Sequence, residues 1–196
     1  MEPKLSIGVI LASVREGRRG EAFAHWIHAK LVERPELEVE LFDLKEWALP
    51  VYALREQPGI AEKSYAEGTL ERRWAEKVKS CDGFVFVTPE YNHAYPGSLK
   101  NALDQVYAPW NYKPAAFVSY GGFSAGARAV EQLRLVVSEL RMVPVRDEVN
   151  VRLIGFTGDE RGWPSDGLNA KKAEALVNDL VWWARVTKEG RAQHPR

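Results

Sequence analysis

Apolar residues are arranged along this chain in two alternating ways: short unbroken runs, and longer stretches with helical spacing. Residues 6–12 (Ser-Ile-Gly-Val-Ile-Leu-Ala), 83–87 (Gly-Phe-Val-Phe-Val) and 115–120 have no polar alternation. That pattern predicts strands covered on both faces. Residues 37–43 alternate, except that Phe42 breaks the order, and predict another strand. Residues 143–151 are more mixed and predict a fifth, at a sheet edge.

Helical spacing falls between these runs. One face carries Phe23, Ile27 and Leu31 over 21–34, with Pro35 beyond it. The same holds for Leu70, Trp74 and Val78 over 68–80, and for Leu99, Ala102, Leu103 and Val106 over 98–106. It recurs for Val130, Leu133, Val137 and Leu140 over 127–141, and for Ala173, Leu176, Val177, Leu180 and Ala184 over 169–188. Residues 46–52 and 155–167 are loops; 54–65, polar with Pro58 and Gly59, is expected to be mobile. The stretch 190–196 is expected to be a disordered tail. Strand and helix alternate five times across 1–196, which predicts one α/β domain, a doubly wound parallel sheet with helices on both faces. Sequence alone does not order the strands; five of them best match the flavodoxin-like order 2-1-3-4-5.

Composition narrows the partners. The 27 Lys and Arg balance the 27 Asp and Glu, which argues against nucleic acid or an anionic membrane as the main partner. Cys81 is the single cysteine, so no intramolecular disulfide, CxxC pair or cysteine metal cluster can form. No leader pattern follows Met1 and no apolar run is long enough to span a bilayer, so a cytoplasmic protein is expected.

The loops after strands one, three and four would be neighbours in that order, next to the switch point where such sheets bind ligands. The first offers the Ser13 hydroxyl, Arg15, Arg18, Arg19 and Gly20 at the entry to a helix, a place suited to a phosphate. The alternative is a solvated basic turn whose arginines pair with Glu16 and Glu21. The second, between Pro89 and Gly97, is stiffened by two prolines and crowded with Glu90, Tyr91, Asn92, His93 and Tyr95; it could frame a planar ring, or simply pack tyrosines at a strand end. The third contains Gly121 and Gly122, which let backbone approach a ligand, or merely make a tight turn. GxxxxGK[ST] and GxGxxG are absent, and Asp43, near where a ribose-binding acid would stand, reads as a polar strand end. A receiver domain would need a carboxylate cluster where this chain has serine and arginines. Together the loops describe a site with phosphate at one end and a planar heterocycle at the other, the shape of flavin mononucleotide (FMN).

Three segments resemble the NADPH-dependent FMN reductases, a family that includes quinone, azo-dye and chromate reductases. They are Ser13-Val14-Arg15-Glu16-Gly17-Arg18-Arg19-Gly20, the run from Pro89-Glu90-Tyr91-Asn92 through Pro96-Gly97-Ser98-Leu99-Lys100-Asn101-Ala102-Leu103-Asp104, and Ser119-Tyr120-Gly121-Gly122-Phe123-Ser124-Ala125-Gly126-Ala127-Arg128. The first departs from the commoner pattern, in which a Ser and an Asn stand near its end. The resemblance implies that Ser13, Arg15 and Arg18 to Gly20 hold the FMN phosphate. It also implies that Pro89, Glu90, Tyr91 and Asn92 line the ring and ribityl chain, and that Ser119, Gly121 and Gly122 flank the ring's other edge. His93 and Tyr95 are candidates for contact with substrate. NADPH or NADH would donate hydride, and a small molecule would accept it. No side chain is assigned a catalytic role and no metal is expected. The resemblance further implies a homodimer or homotetramer, with Leu135, Val136, Trp110 and Tyr112 as candidate interface residues and a partner's arginine as a target for Glu90. A flavodoxin-like electron carrier and a non-catalytic FMN-binding module are the other classes considered; zero net charge weighs against the carrier.

Overall fold

The structure is a computed structural model that describes residues 3–194. Its centre is a five-stranded sheet of β1 (Leu5–Leu11), β2 (Leu37–Asp43), β3 (Gly83–Pro89), β4 (Pro114–Gly121) and β5 (Val143–Arg152). All pairings are parallel and the order is β2-β1-β3-β4-β5, as expected. Every residue of β3 and β4 is buried, which is why their sequences lack alternation. The two outer strands alternate between buried and accessible positions.

Two helical layers cover the sheet. On one face α1 (Gly20–Val32) and the last helix, α7 (Gly167–Gln193), pack Phe23, Ile27, Leu176 and Leu180 onto Ile7, Val9, Val85 and Val87. On the other, α4 (Leu70–Ser80), α5 (Gly97–Asp104) and α6 (Ala127–Glu139) pack Trp74, Leu103 and Leu133 onto Ile10, Phe84 and Phe86. Phe42 breaks the alternation of β2 because it belongs to this second layer, edge-on to Trp47 and Trp74, whereas Val39 and Leu41 face the first. Gly8 makes room for it: a Cβ there would lie 2.7 Å from the Phe42 ring and 2.9 Å from that of Phe84.

Several expectations are corrected. Residues 54–65 are anchored: α3 (Pro58–Ala61) follows the short α2 (Leu44–Trp47), and the Glu62 carboxylate accepts from the backbone N–H groups of Tyr107 (2.6 Å) and Ala108 (3.2 Å). The Tyr65 hydroxyl donates to the Gln105 carbonyl at 2.5 Å. Gly190 does not end the last helix, which runs to Gln193. Its final turns are held by Lys188 Nζ (2.7 Å) and Arg191 Nη2 (2.9 Å) on the Asp82 carboxylate. Residues 195–196 of the expected tail lie outside the described residues. Trp110 is fully buried against Phe84 with its indole N–H on the Leu103 carbonyl (3.1 Å), so it belongs to the core and not to a surface. Val136 likewise packs on the core; Leu135 is 70% exposed. Among the described residues no helix is long and apolar enough to cross a membrane.

Candidate functional site

Because β1, β3 and β4 are adjacent, the loops that leave their carboxyl ends lie side by side. A cavity of about 330 Å³ opens between them, lined by Ser13 and residues 15–19, by 89–91, and by Tyr120, Gly121, Gly122 and Leu153. That volume lies within the range of small-ligand sites.

The first loop begins where β1 is pinned to its neighbours: Ala12 N–H donates to the Val87 carbonyl (3.0 Å), and the Ser98 hydroxyl donates to the Ala12 carbonyl (2.6 Å). Ser13 follows, 1% exposed, its hydroxyl 2.8 Å from that of Tyr91. The Arg15 guanidinium lies over the Tyr91 ring, 5.7 Å from its centre. The chain turns at Gly17 (φ +62°) and enters α1 at Gly20, where a Cβ would overlap the Tyr120 hydroxyl. Arg19, at the N-cap, contributes no side-chain acceptor to the first-turn N–H groups; the Tyr120 hydroxyl faces the backbone of Gly20. Burial holds the Tyr120 phenol protonated well above its usual range, with the nearby Tyr91 acting the same way. Arg18 differs from its neighbours. Its guanidinium forks onto Asp43, and the hydrogen bond to that carboxylate, against the opposing effect of burial, holds it charged even more firmly than usual. Asp43 is therefore the partner of Arg18 and not simply a polar strand end. Glu21 is a weaker partner at 3.7 Å.

The second loop is a tight two-residue turn. Tyr91 and Ala94 exchange backbone hydrogen bonds of 2.8 and 3.1 Å around Asn92 (φ 50°) and His93 (φ 70°). Two successive left-handed residues make a type I′ hairpin turn. Asn92 and His93 are thereby exposed at the tip and are not among the residues that line the cavity. Tyr95 packs against the α4–α5 side of the core, also away from the cavity. Pro89, Glu90 and Tyr91 do line it. Glu90 is held within its own chain: Arg128 Nε donates to it at 2.6 Å, with a second contact from Arg128 Nη2, and the Ser124 hydroxyl reaches both carboxylate oxygens at 3.0 and 2.8 Å. Burial pushes this carboxyl up, but the hydrogen bonds from Arg128 and Ser124 outweigh it and hold it below the usual carboxylate range.

In the third loop Gly121 and Gly122 reach the cavity, whereas Ser119 does not. Ser119 is fully buried; its hydroxyl donates to the Ala125 carbonyl and accepts from Asn150 Nδ2, each at 3.0 Å. Its work is to tie down the turn that ends at Gly126. Leu153 lines the cavity and Arg128 pairs with one of its residues, and the sequence assigns neither a role; Tyr120 enters only as the start of the third loop. Nothing in the spacing from Glu90 to Arg128 announces their pairing.

The donor set fits a ligand with an anionic end and a flat body. Arg15 and Arg19 are exposed and form no ion pair among the described residues, and they stand beside the N-terminus of α1. Across the cavity, Gly121 presents backbone where a Cβ would sit 3.4 Å from that of Glu90 and 3.0 Å from the Gly126 nitrogen. No group of three or more His, Cys, Asp or Glu residues among those described could hold a metal ion.

Comparison with known proteins agrees with this geometry. The pattern of the NADPH-dependent FMN reductase family matches residues 5–154. The chain is 40% identical over 136 residues to the NAD(P)H-dependent FMN reductase C4B3.06c of Schizosaccharomyces pombe, a match spanning 68% of this chain and 66% of that protein. It is 35% identical over 147 residues to the NAD(P)H-dependent FMN reductase LOT6 of Saccharomyces cerevisiae, covering 70% and 76% of the two chains. Among solved structures, FerB, a flavoenzyme NAD(P)H:(acceptor) oxidoreductase from Paracoccus denitrificans, shares the fold with a TM-score of 0.71 and 24% identity, over 93% of this chain and 98% of that one.

Proposed function

Since the chain belongs to the NADPH-dependent FMN reductase family, we propose that it is an FMN-dependent NAD(P)H oxidoreductase serving a small acceptor: a quinone, an azo compound, a metal ion or a free flavin. The observation that carries this is the meeting of three strand-end loops on one cavity, with cationic and N–H donors at one end and glycine backbone at the other. When bound, FMN would supply the redox chemistry, taking hydride from a nicotinamide and passing the reducing equivalents, as hydride or as electrons and protons, to the acceptor.

The chain's own part is to hold, orient and set charge. Ser13, Arg15, Arg19 and the first-turn N–H groups of α1 would bind the phosphate. Pro89 and the backbone of Glu90, tied to the Tyr120 carbonyl at 3.1 Å, would line one side of the ring. Gly121 and Gly122 would let the opposite edge come close. Arg128 keeps Glu90 ionised and paired, so its charge does not stand alone beside the ligand. Asn92 and His93, exposed on a rigid turn, would face an incoming substrate or a neighbouring subunit. A homodimer or homotetramer and a cytoplasmic location are part of the same proposal; exposed Leu135 and Phe123 support the first, the lone buried thiol of Cys81 the second.

The test is direct. Purified protein mixed with FMN should develop a bound-flavin spectrum and then oxidise NADPH or NADH steadily with a quinone. Protein that never acquires the spectrum refutes the proposal. Protein that binds FMN without turnover is a carrier or a binding module.

A further inference from the structure

We infer that Arg18 and Asp43 form a clamp that sets the shape of the phosphate loop, so that Arg18 is a positioning residue for FMN rather than a ligand of it. The inference rests on the functional reading above. In the sheet, Leu11 of β1 is paired with Asp43 of β2, which puts this carboxylate beside the point where the chain leaves β1. Arg18 Nη1 donates to the Ser13 carbonyl at 2.8 Å and to Asp43 Oδ1 at 2.7 Å, while Nη2 pairs with Oδ2. One guanidinium thus ties the first and last parts of the loop to the end of the adjacent strand. Asp43 cannot follow the loop if it drifts, because the carboxylate also accepts the Lys45 N–H at 2.9 Å to start α2.

The pair is sheltered, its side chains 9% and 12% exposed, so water competes weakly for either partner. Both Nη1 hydrogens are used, one on Nη2 is used, and Nε points towards Glu21. A guanidinium has five donors, and most of these are therefore withdrawn from a ligand. Arg15 and Arg19, exposed and without ion pairs among the described residues, keep theirs. Ser13 is the residue whose carbonyl the clamp grips and whose hydroxyl lines the cavity, so loosening the clamp displaces a phosphate contact directly.

The two possible roles of Arg18 predict opposite signs for one substitution. If Arg18 is a phosphate ligand restrained by Asp43, Asp43→Asn frees it, adds net positive charge and tightens FMN. If the pair is a clamp, Asp43→Asn loosens the loop and weakens FMN despite the added charge. The experiment is FMN titration, read by loss of flavin fluorescence, for wild type, Asp43→Asn, Arg18→Gln and the double variant, with riboflavin run alongside. Unfolding midpoints of the apoproteins establish that each variant is folded.

The clamp predicts about tenfold or more loss of FMN affinity in each single variant. The double variant should be no worse than either, and riboflavin, lacking the phosphate, should be affected far less. Arg18→Lys, which keeps the charge but cannot make the fork, should also bind weakly, and decides the matter if Asp43→Asn does not fold. Unchanged or tighter binding in Asp43→Asn, or full affinity in Arg18→Lys, overturns the clamp while leaving the FMN reading intact. Wild-type protein that does not bind FMN overturns both.

Discussion

Arg128→Ala tests how the acid at the cavity is kept in balance. The Glu90 side chain is 7% exposed and Arg128 43%. Truncating Arg128 leaves a sheltered carboxylate with only the Ser124 hydroxyl as side-chain donor. Breaking a fully buried ion pair costs about 3–5 kcal/mol, and an exposed pair is worth about 0–1 kcal/mol. Since one partner is half in water, the expected loss is about 2 kcal/mol at neutral pH. The cost also depends on pH in a defined direction. In the wild type the folded carboxyl titrates below its ordinary 4.5, so its contribution is complete above that value and is lost as pH falls through the folded value. Without Arg128 its hydrogen bond and charge no longer oppose burial, the largest single influence, so the carboxyl titrates higher than in the wild type and the variant is hurt most when Glu90 is ionised. Urea unfolding of the apoprotein should therefore show the wild type ahead at pH 7, with the gap closing towards pH 4. Glu90→Gln should remove most of the sensitivity to Arg128→Ala. A gap that is the same at both pH values would mean that Arg128 acts through the packing of its stem, and the charge argument would fail.

Three further outcomes are expected. Burial pushes the Lys113 amine down from 10.5 to about 7 while its Nζ caps the Val78 (2.7 Å) and Lys79 (3.0 Å) carbonyls at the end of α4. The folded state then binds fewer protons than the unfolded one between about 7 and 10.5, so this group makes stability rise with pH there; from about 9 the buried Cys81 thiol, raised to about 11, opposes it. Lys113→Met should flatten the rise in urea midpoint between pH 7 and 9, and an unchanged slope refutes the assignment. Gly20→Ala should destabilise the protein and weaken FMN, although the same change in an open helix stabilises by about 1 kcal/mol, because its methyl would meet the Tyr120 hydroxyl; a raised melting temperature counts against that packing. Trp110→Ala should cost about 3–5 kcal/mol in chemical unfolding, as for a core aromatic; a loss confined to oligomer formation would return Trp110 to an interface role.

What the sequence disclosed depended on how local its cause was. β3 and β4 are legible because burial on both faces removes polar residues from a contiguous run, whereas strand order was expected only as the best match to a five-stranded fold and is fixed by the long-range pairings of the sheet. Phe42 looked like an error of period and was a real signal, a side chain belonging to the opposite layer. The mobile reading of 54–65 failed because its anchors, Tyr107 N–H and the Gln105 carbonyl, are some 40 residues away in the chain. Gly190 suggested an end that Lys188 and Arg191 override by reaching Asp82. At the site, the three loops could be found from their strand–helix junctions, but not which way their side chains turn. Asn92 and His93 are carried outward by paired positive φ angles, and Ser119 is turned inward by Asn150 on the next strand.

These orientations fix the charge the cavity presents. Three acids stand at this end of the sheet: Glu90 in the second loop, Asp43 on the edge strand within reach of Arg18, and exposed Glu16 in the first loop on the cavity wall, which forms no ion pair among the described residues. Glu90 and Asp43 are each paired with an arginine of the same chain. Pairing removes Arg18 and Arg128 from the count of free cations as surely as it removes these two acids. Of the charged residues that line the cavity, those without an ion pair among the described residues are Arg15, Arg19 and Glu16, two cations against one acid, beside the N-terminal dipole of α1. A chain with zero net charge can therefore still present a locally cationic anion site, because pairing of Glu90 and Asp43 leaves Arg15, Arg19 and the helix dipole to outweigh Glu16 at this loop. By the same argument the departures from the usual family pattern at Arg18 and Arg19 are not equivalent. The first shapes the loop and the second supplies charge, so exchanging Arg19 for a neutral residue should weaken FMN in a salt-dependent way, while the loss caused by Arg18→Gln should persist at high salt.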